Sequence, residues 1–442
     1  MAKQRTYMNG HHGKYMVVLY TKPCDCGGNC LYCIKESKVT RSTVPNQDTL
    51  LARDTNWSSS AQLLERCKKE GVILNTGNKF ELRIKGNSFT NYEPEYLENY
   101  IKEIYDLLNG FVGKTFEESF IAQRNAKDKV VQIVIETRPD QITDEWCLRM
   151  RRWGVTTVEI GVQSLNDDVL RYINRGHLTD VVINASRLIR KYGFELTYQL
   201  MLNLPSSNFD IDRKMLLEDL YRSEYYPDNI KVYPCLLLPN REAQKPLYAL
   251  FDNKTWVPMN NDVYHQFLLT VLPYLPKDIH VNRLQRIFRE DEVAYGPKVV
   301  IDRKIYRNIS HTMWQRSFQN NDLEIKDIKS WDIEIYNHDN HYTVLCVCND
   351  VILGYGRVSI FDREAIIRDV RVLGDPLEIG RRDDKNYLEH RGIGKLIIKN
   401  FEDIAKKNNC SRVIVNSSAG CVTYFEKIGY KSENYYKMVK DI

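Results

Sequence analysis

From Tyr15 to about Phe288 the sequence alternates short apolar runs with longer stretches of helical periodicity, and this alternation constrains the fold more than any other feature. The runs are YMVVLYT, KFELRIKG, VVQIVIE, TTVEIGV, ELTYQLML, NIKVYPCLLL and DIHVNRLQ. Parallel strands cannot be joined by a tight turn; each pair needs a crossover of about a dozen residues or more, usually a helix. Helix-like stretches fall between the runs, at Pro94 to Leu108, Asp144 to Trp153, Asp167 to Ile173, Asp180 to Lys191, Ile211 to Ser223 and Asn261 to Leu272. Several open on an Asp or Asn able to cap the first turn. About six β/α repeats predict an α/β domain over residues 15–288, an open or partial TIM-like (β/α)6 barrel behind a short basic segment at 1–14. Functional side chains in that architecture gather at the C-terminal ends of the strands.

The pattern changes beyond residue 288. Residues 289–328 have weak periodicity and many polar residues, as in a connector with some helix. From 329 to 442, WDIEIYN, YTVLCVC, VILGYGRVSIF and EAIIRDVRVLG follow one another closely. A long helix from Ile393 to Lys407, the strand SRVIVNSS, a short helix and a last strand complete an α+β domain. Two or three units suit a chain of 442 residues. No uninterrupted apolar stretch reaches the length of a transmembrane helix, and no apolar signal core is present near the start, so a cytoplasmic protein without a membrane partner is expected. The net charge of +5 permits a nucleic-acid partner without identifying one.

Four of the 11 cysteines crowd into KPCDCGGNCLYCIKE, directly after the first strand. Cys26, Cys30 and Cys33 form the array C-x-x-x-C-x-x-C. Three thiolates on one loop can hold three irons of a 4Fe-4S cubane and leave the fourth open to chelate S-adenosylmethionine, while Gly27 and Gly28 let the backbone wrap closely. Electron transfer from such a cluster would cleave the sulfonium and release an adenosyl radical. Tyr32 is placed to lean on the adenine. The alternatives are a zinc knuckle of Cys24, Cys26, Cys30 and Cys33, or inert thiols.

Polar residues interrupt the later strands. Glu136 and Arg138 close one, Glu159 and Gln163 the next, and Lys231 and Arg286 project from others, so they are expected to converge on one rim and bind cofactor ribose and methionine groups, or RNA phosphates. Asn174, Arg175 and His177 follow a helix, with Gly176 as its cap. A second signal lies in EHRGIGKLIIKNFEDIAKK, where Arg391, Gly392, Ile393, Gly394 and Lys395 open the long helix. Successive N–H groups at such a terminus bind a pyrophosphate.

The cysteine loop resembles that of radical S-adenosylmethionine enzymes. The strand, glycine loop, helix and strand followed by TYFEKIGY resemble the acetyl-CoA fold of GNAT acetyltransferases. IVIETRPD, VEIGVQS, NRGH, IKVYP and VNRLQR, in this order, are similar to the family of the Elongator catalytic subunit. That resemblance implies a 4Fe-4S cluster and S-adenosylmethionine in the barrel and acetyl-CoA in the second domain. It implies attachment of a carboxymethyl-type group to C5 of the wobble uridine, with the tRNA anticodon stem-loop, an electron donor and accessory Elongator-like subunits as partners. Lys231 and Tyr424 are then the candidate catalytic residues, with Tyr424 and Phe425 near the thioester. The segment ahead of the cysteine loop is shorter than the family's basic region, which implies weak tRNA affinity or a helper. Glu389 stands where the family commonly has Gln or Arg, and His390, Arg391 or Lys395 is expected to offset its charge beside a pyrophosphate. Competing expectations are a protein lysine acetyltransferase with the barrel as scaffold, and a tRNA-binding subunit whose catalysis has decayed.

Overall fold

The computed structural model describes residues 8–11, 14–35, 46–285, 290–298, 306, 309–377 and 387–442. The first sheet has eight strands in sequence order: β1 Met8–His11, β2 Lys14–Tyr20, β3 Lys79–Lys85, β4 Lys129–Thr137, β5 Thr157–Gln163, β6 Glu195–Leu202, β7 Asn229–Pro234 and β8 His280–Arg283. β2 to β8 pair in parallel through six crossovers. β1, which lies in the stretch read as a basic segment, turns back antiparallel on β2. β5 is buried along its whole length, as a parallel strand covered on both faces must be, whereas β3 alternates. Helices Gln47–Asp54, Ser59–Glu70 and Phe116–Ala122 were not foreseen from periodicity; each is short or polar and is opened by an Asn46, Ser58 or Thr115 cap.

The second sheet adds β9 Asp332–His338, β10 His341–Cys348, β11 Val351–Phe361, β12 Glu364–Val372, β13 Arg412–Asn416, β14 Lys431–Ser432 and β15 Lys437–Asp441, in the order β14-β15-β13-β12-β11-β10-β9. Helix Ile393–Lys407 crosses between β12 and β13, the one parallel pair among the described strands of this sheet. Pairing of these two stops at Ile367 and Val415, although β12 runs on to Val372. The strands therefore part and leave a wedge between them.

The two sheets meet at the N-terminal ends of the barrel strands, and one continuous apolar core spans both. The seam itself is ionic. Arg357 of β11 is fully buried, with its guanidinium 3.1 Å from Asp369, 3.5 Å from Asp228 and 3.7 Å from Glu195. Arg371 of β12 reaches Glu195 at 2.8 Å and Glu81 at 3.6 Å. Burial pushes the Glu81 and Glu195 carboxyls up, but Lys14 and Arg371 around the first, and Arg371 and Arg357 around the second, outweigh it and hold both at about 2. A folded-state value below that of the unfolded chain means that this stabilisation is complete above about pH 4.5 and is lost as the pH falls towards 2. Asp369 acts in the opposite sense: burial raises it to about 6 against Arg371, so its cost to the fold is relieved as the pH falls below that value. Urea titrations of the wild type and Arg371→Leu across pH 7 to 2 are expected to converge below about pH 4.5. A gap that stays constant would mean that neither glutamate depends on Arg371.

Candidate active site

The loop after β2 carries the cysteines. Cys30 is buried, and its sulfur accepts from Arg175 Nη1 at 3.4 Å and Arg138 Nη1 at 3.9 Å. Burial pushes this thiol up, yet Arg175 and then Arg138 outweigh it and leave the Cys30 value lowered, towards the thiolate that serves as a metal ligand. Gly28 lets the loop lie against the same guanidinium: a Cβ there would meet Arg138 Nη1 at 2.6 Å and Cys26 Sγ at 3.5 Å. Cys26 and Cys30 thus share one cationic corner. Cys24 is turned away, with its sulfur 3.7 Å from the Asn91 carbonyl. Among the described residues no three His, Cys, Asp or Glu side chains gather round a single-ion position. A cubane takes one thiolate at each of three irons, so its ligands need not share such a shell.

The surroundings fit a cluster that carries a small charged ligand. Both polar atoms of the buried Asn87 side chain, just past β3, lack a protein partner, as do His177 Nε2 and Arg175 Nε. Burial, then Arg175, lowers His177 to about 4, so its imidazole is neutral and can accept or donate one hydrogen bond. Gln163 ends β5 in the left-handed region at φ 71°, where its amide packs with Arg175 over Gly161. Strain of this kind is held only where the surroundings enforce it. Tyr32 is half-buried and hydrogen-bonds Cys30, so it supports the thiolate from the protein side.

Arg138 and Gln163 stand at this rim, but Glu136, Glu159 and Lys231 form a layer deeper in the curled sheet. Lys231 and Glu159 are a buried ion pair; Arg83 reaches Glu159 at 3.0 Å, Gln199 donates to it at 3.2 Å, and Lys85 pairs with Glu136 at 3.2 Å. Burial lowers Lys231 to about 8 against the pull of Glu159. The expected single rim is therefore corrected to two levels, because register places Glu136 beside Glu159 while Gln163 lies four residues further along β5. Arg286 lies outside the described residues.

The wedge between β12 and β13 opens into a cavity of about 670 Å³. Its lining joins Gly392, Ile393, Gly394, Lys395, Tyr424 and Phe425 of the second domain to the barrel floor, Lys14, Lys79, Glu81, Gln132, Thr157 and Glu195. Gly392 takes φ 88° to open helix Ile393–Lys407, and the Tyr424 hydroxyl stands 3.1 Å from where a Gly394 Cβ would sit. Burial pushes that phenol up to about 12, so it stays protonated and can donate. Ile393 and Phe425 are buried core side chains that also line the wall, whereas Arg391 is not among the lining residues. The charge of Glu389 is met from the other domain: Lys79, at the start of β3, holds both of its oxygens at 2.9 and 2.8 Å. Sequence reasoning missed Lys79 and Arg371, for which no local signal exists.

Residues 22–217 match the model of the Radical SAM superfamily and residues 306–430 that of the acetyltransferase (GNAT) family. The chain is 26% identical to a tRNA uridine(34) acetyltransferase of Methanocaldococcus infernus, over 96% of this chain and 85% of that one. It is 24% identical to Elongator complex protein 3 of Homo sapiens, over 97% of this chain and 84% of that one. The solved structure of the archaeal Methanocaldococcus infernus Elp3 with an N-terminal deletion superposes with a TM-score of 0.79 at 23% identity, covering 98% of this chain and 100% of that one. Fold and sites together define a two-domain protein that joins a radical SAM half-barrel to a GNAT domain. The chain belongs to the family of the Elongator catalytic subunit.

Proposed function

We propose that this chain is a tRNA uridine acetyltransferase that attaches a carboxymethyl-type group, drawn from acetyl-CoA, to C5 of the wobble uridine. The observation that carries the reading is the presence, on one continuous core, of a cysteine loop whose buried Cys30 meets two guanidiniums at one end of the barrel and a glycine-loop cavity at the other. In this reading Cys26, Cys30 and Cys33 hold a 4Fe-4S cluster, and Asn87, Gln163 and His177 face S-adenosylmethionine. Bound together, these groups supply a radical able to abstract a hydrogen from an unactivated methyl group. Arg138 and Arg175 keep Cys30 anionic. The Gly392–Lys395 N–H groups and helix terminus take the acetyl-CoA diphosphate, and the Tyr424 hydroxyl donates near the thioester. The buried Lys231–Glu159 pair, joined by Arg83, keeps the barrel interior charged between the two ends. Lys231 is positioned for proton transfer inside the barrel.

RNA suits the outer surface of the seam. Arg124, Lys127, Lys129 and Lys427 line a cavity of about 420 Å³ between barrel and GNAT domain. The buried Lys129 ammonium is met there by the carbonyls of Gln123 and Arg124, not by a carboxylate. The double variant Lys127→Ala/Lys427→Ala is expected to weaken binding of an anticodon stem-loop and to flatten the slope of log K against log salt by about 2. An unchanged slope would remove these lysines from the RNA footprint. No helix among the described residues is long and apolar enough to cross a membrane, and a cytoplasmic setting with an electron donor and accessory subunits completes the reading.

The test is anaerobic reconstitution with iron, S-adenosylmethionine, a reductant, labelled acetyl-CoA and tRNA, followed by mass spectrometry of digested nucleosides. Label on a 5-substituted uridine is expected. Label found on protein lysines instead, independent of iron, would establish the acetyltransferase alternative.

A further inference from the structure

Glu389 precedes the glycine loop by three residues, and a bare carboxylate there would oppose any diphosphate. Both of its oxygens lie on the Lys79 ammonium, and Oε2 also accepts the Leu377 N–H at 3.1 Å. Lys79 belongs to the other domain, 310 positions away, yet it lines the same cavity as Gly392, Gly394 and Lys395. The pair is only 21% and 23% exposed, so its attraction is screened less than that of a surface pair. Lys14, the neighbouring cation of the barrel floor, is committed to Glu81 at 2.9 Å. Among the described residues, the carboxylate on Lys79 is thus the one that sits beside the glycine loop.

We propose that Lys79 is a phosphate ligand of the acetyl-CoA site, supplied across the domain seam, and that Glu389 holds it in place before the diphosphate arrives. The inference rests on the acetyl-CoA reading above. An ammonium offers three donors in a tetrahedral fork, so Lys79 can bridge carboxylate and phosphate. The arrangement explains how Glu389 is tolerated: the cation that a Gln or Arg would make unnecessary, or would itself supply, comes from the barrel. It also makes occupancy of the GNAT cavity a matter for both domains, since one ammonium of the barrel serves both the seam and the ligand.

Calorimetric binding of CoA and of acetyl-pantetheine, which lacks phosphates, to the full chain tests this in the wild type, Lys79→Ala, Glu389→Gln and the double variant. Lys79→Ala is expected to weaken CoA about 10-fold, as for loss of one charge-assisted hydrogen bond. Glu389→Gln is expected to tighten it about 3-fold, since a repulsive charge is removed while the amide oxygen still accepts from Lys79. The double variant should stay weaker than the wild type, and acetyl-pantetheine should bind all four alike. A double variant restored to wild-type affinity would show that Lys79 only masks Glu389, and equal losses for acetyl-pantetheine would show that no phosphate is involved; either overturns the proposal. A wild type that binds neither compound would instead sink the acetyl-CoA reading itself.

Discussion

Cys30→Ala is expected to abolish iron incorporation and to reduce labelled uridine to background, while the melting curve of the metal-free protein changes little. The reason is the position of this thiol. It is the buried cysteine of the loop, and two guanidiniums converge on it. Its sulfur is therefore held towards the thiolate, while the Cys24 sulfur lies instead against the Asn91 carbonyl. The same geometry ranks the other variants. Cys26→Ala should lose iron as completely, because Cys26 shares the Arg138 corner, and Cys24→Ala should retain it. Iron-to-protein ratios and the spectrum of the reconstituted cluster measure this directly. Retention in Cys26→Ala with loss in Cys24→Ala would exchange the two in the ligand set.

The largest effect on stability is expected from Arg357→Met. This side chain is fully buried and faces Asp228, Asp369 and Glu195, so its removal strands carboxylates that are themselves almost wholly buried. Breaking a buried pair by deleting one partner costs about 3–5 kcal/mol, far more than the pair itself contributes, because the remaining charge is left uncompensated. Arg371 and Arg368 still meet some of these carboxylates, which keeps the expected loss within that range. Because Arg357 belongs to the GNAT sheet and Asp228 to the barrel, the loss should appear as early separation of the two domains, read by proteolysis at the seam before the barrel melts. Arg357→Lys should recover only part of the stability, since a single ammonium cannot serve three carboxylates held by a planar fork. A urea midpoint equal to that of the wild type would show that water or rearrangement already satisfies the seam.

Much of the architecture was legible before any coordinates. YMVVLYT, VVQIVIE and TTVEIGV announce themselves as strands, because a short run of apolar and β-branched residues is a property of the chain over a few residues. The helix Ile393–Lys407 and its glycine opening are equally local. So are the three cysteines, whose spacing alone suggests one loop round a cluster. β1 escaped because four residues with two polar side chains carry no period, and pairing with β2 decides their state.

Other features had no local trace. Glu136 and Gln163 looked like members of one rim, but the stagger between parallel strands sets their depth, and stagger is written nowhere in a single strand. Glu389 looked like a defect in a phosphate loop until Lys79 appeared beside it. Arg357, Arg368 and Arg371 read as the ordinary polar positions of a half-exposed strand, yet they form the ionic seam against Asp228, Glu195 and Glu81. The sequence by itself therefore determined the two domain types, the cysteine loop and the glycine loop, since each depends on backbone periodicity or on residues a few positions apart. Only the tertiary structure decided that the two sites lie at opposite ends of one barrel and share charges across its floor, because partners hundreds of positions apart meet only when both sheets have closed their common core.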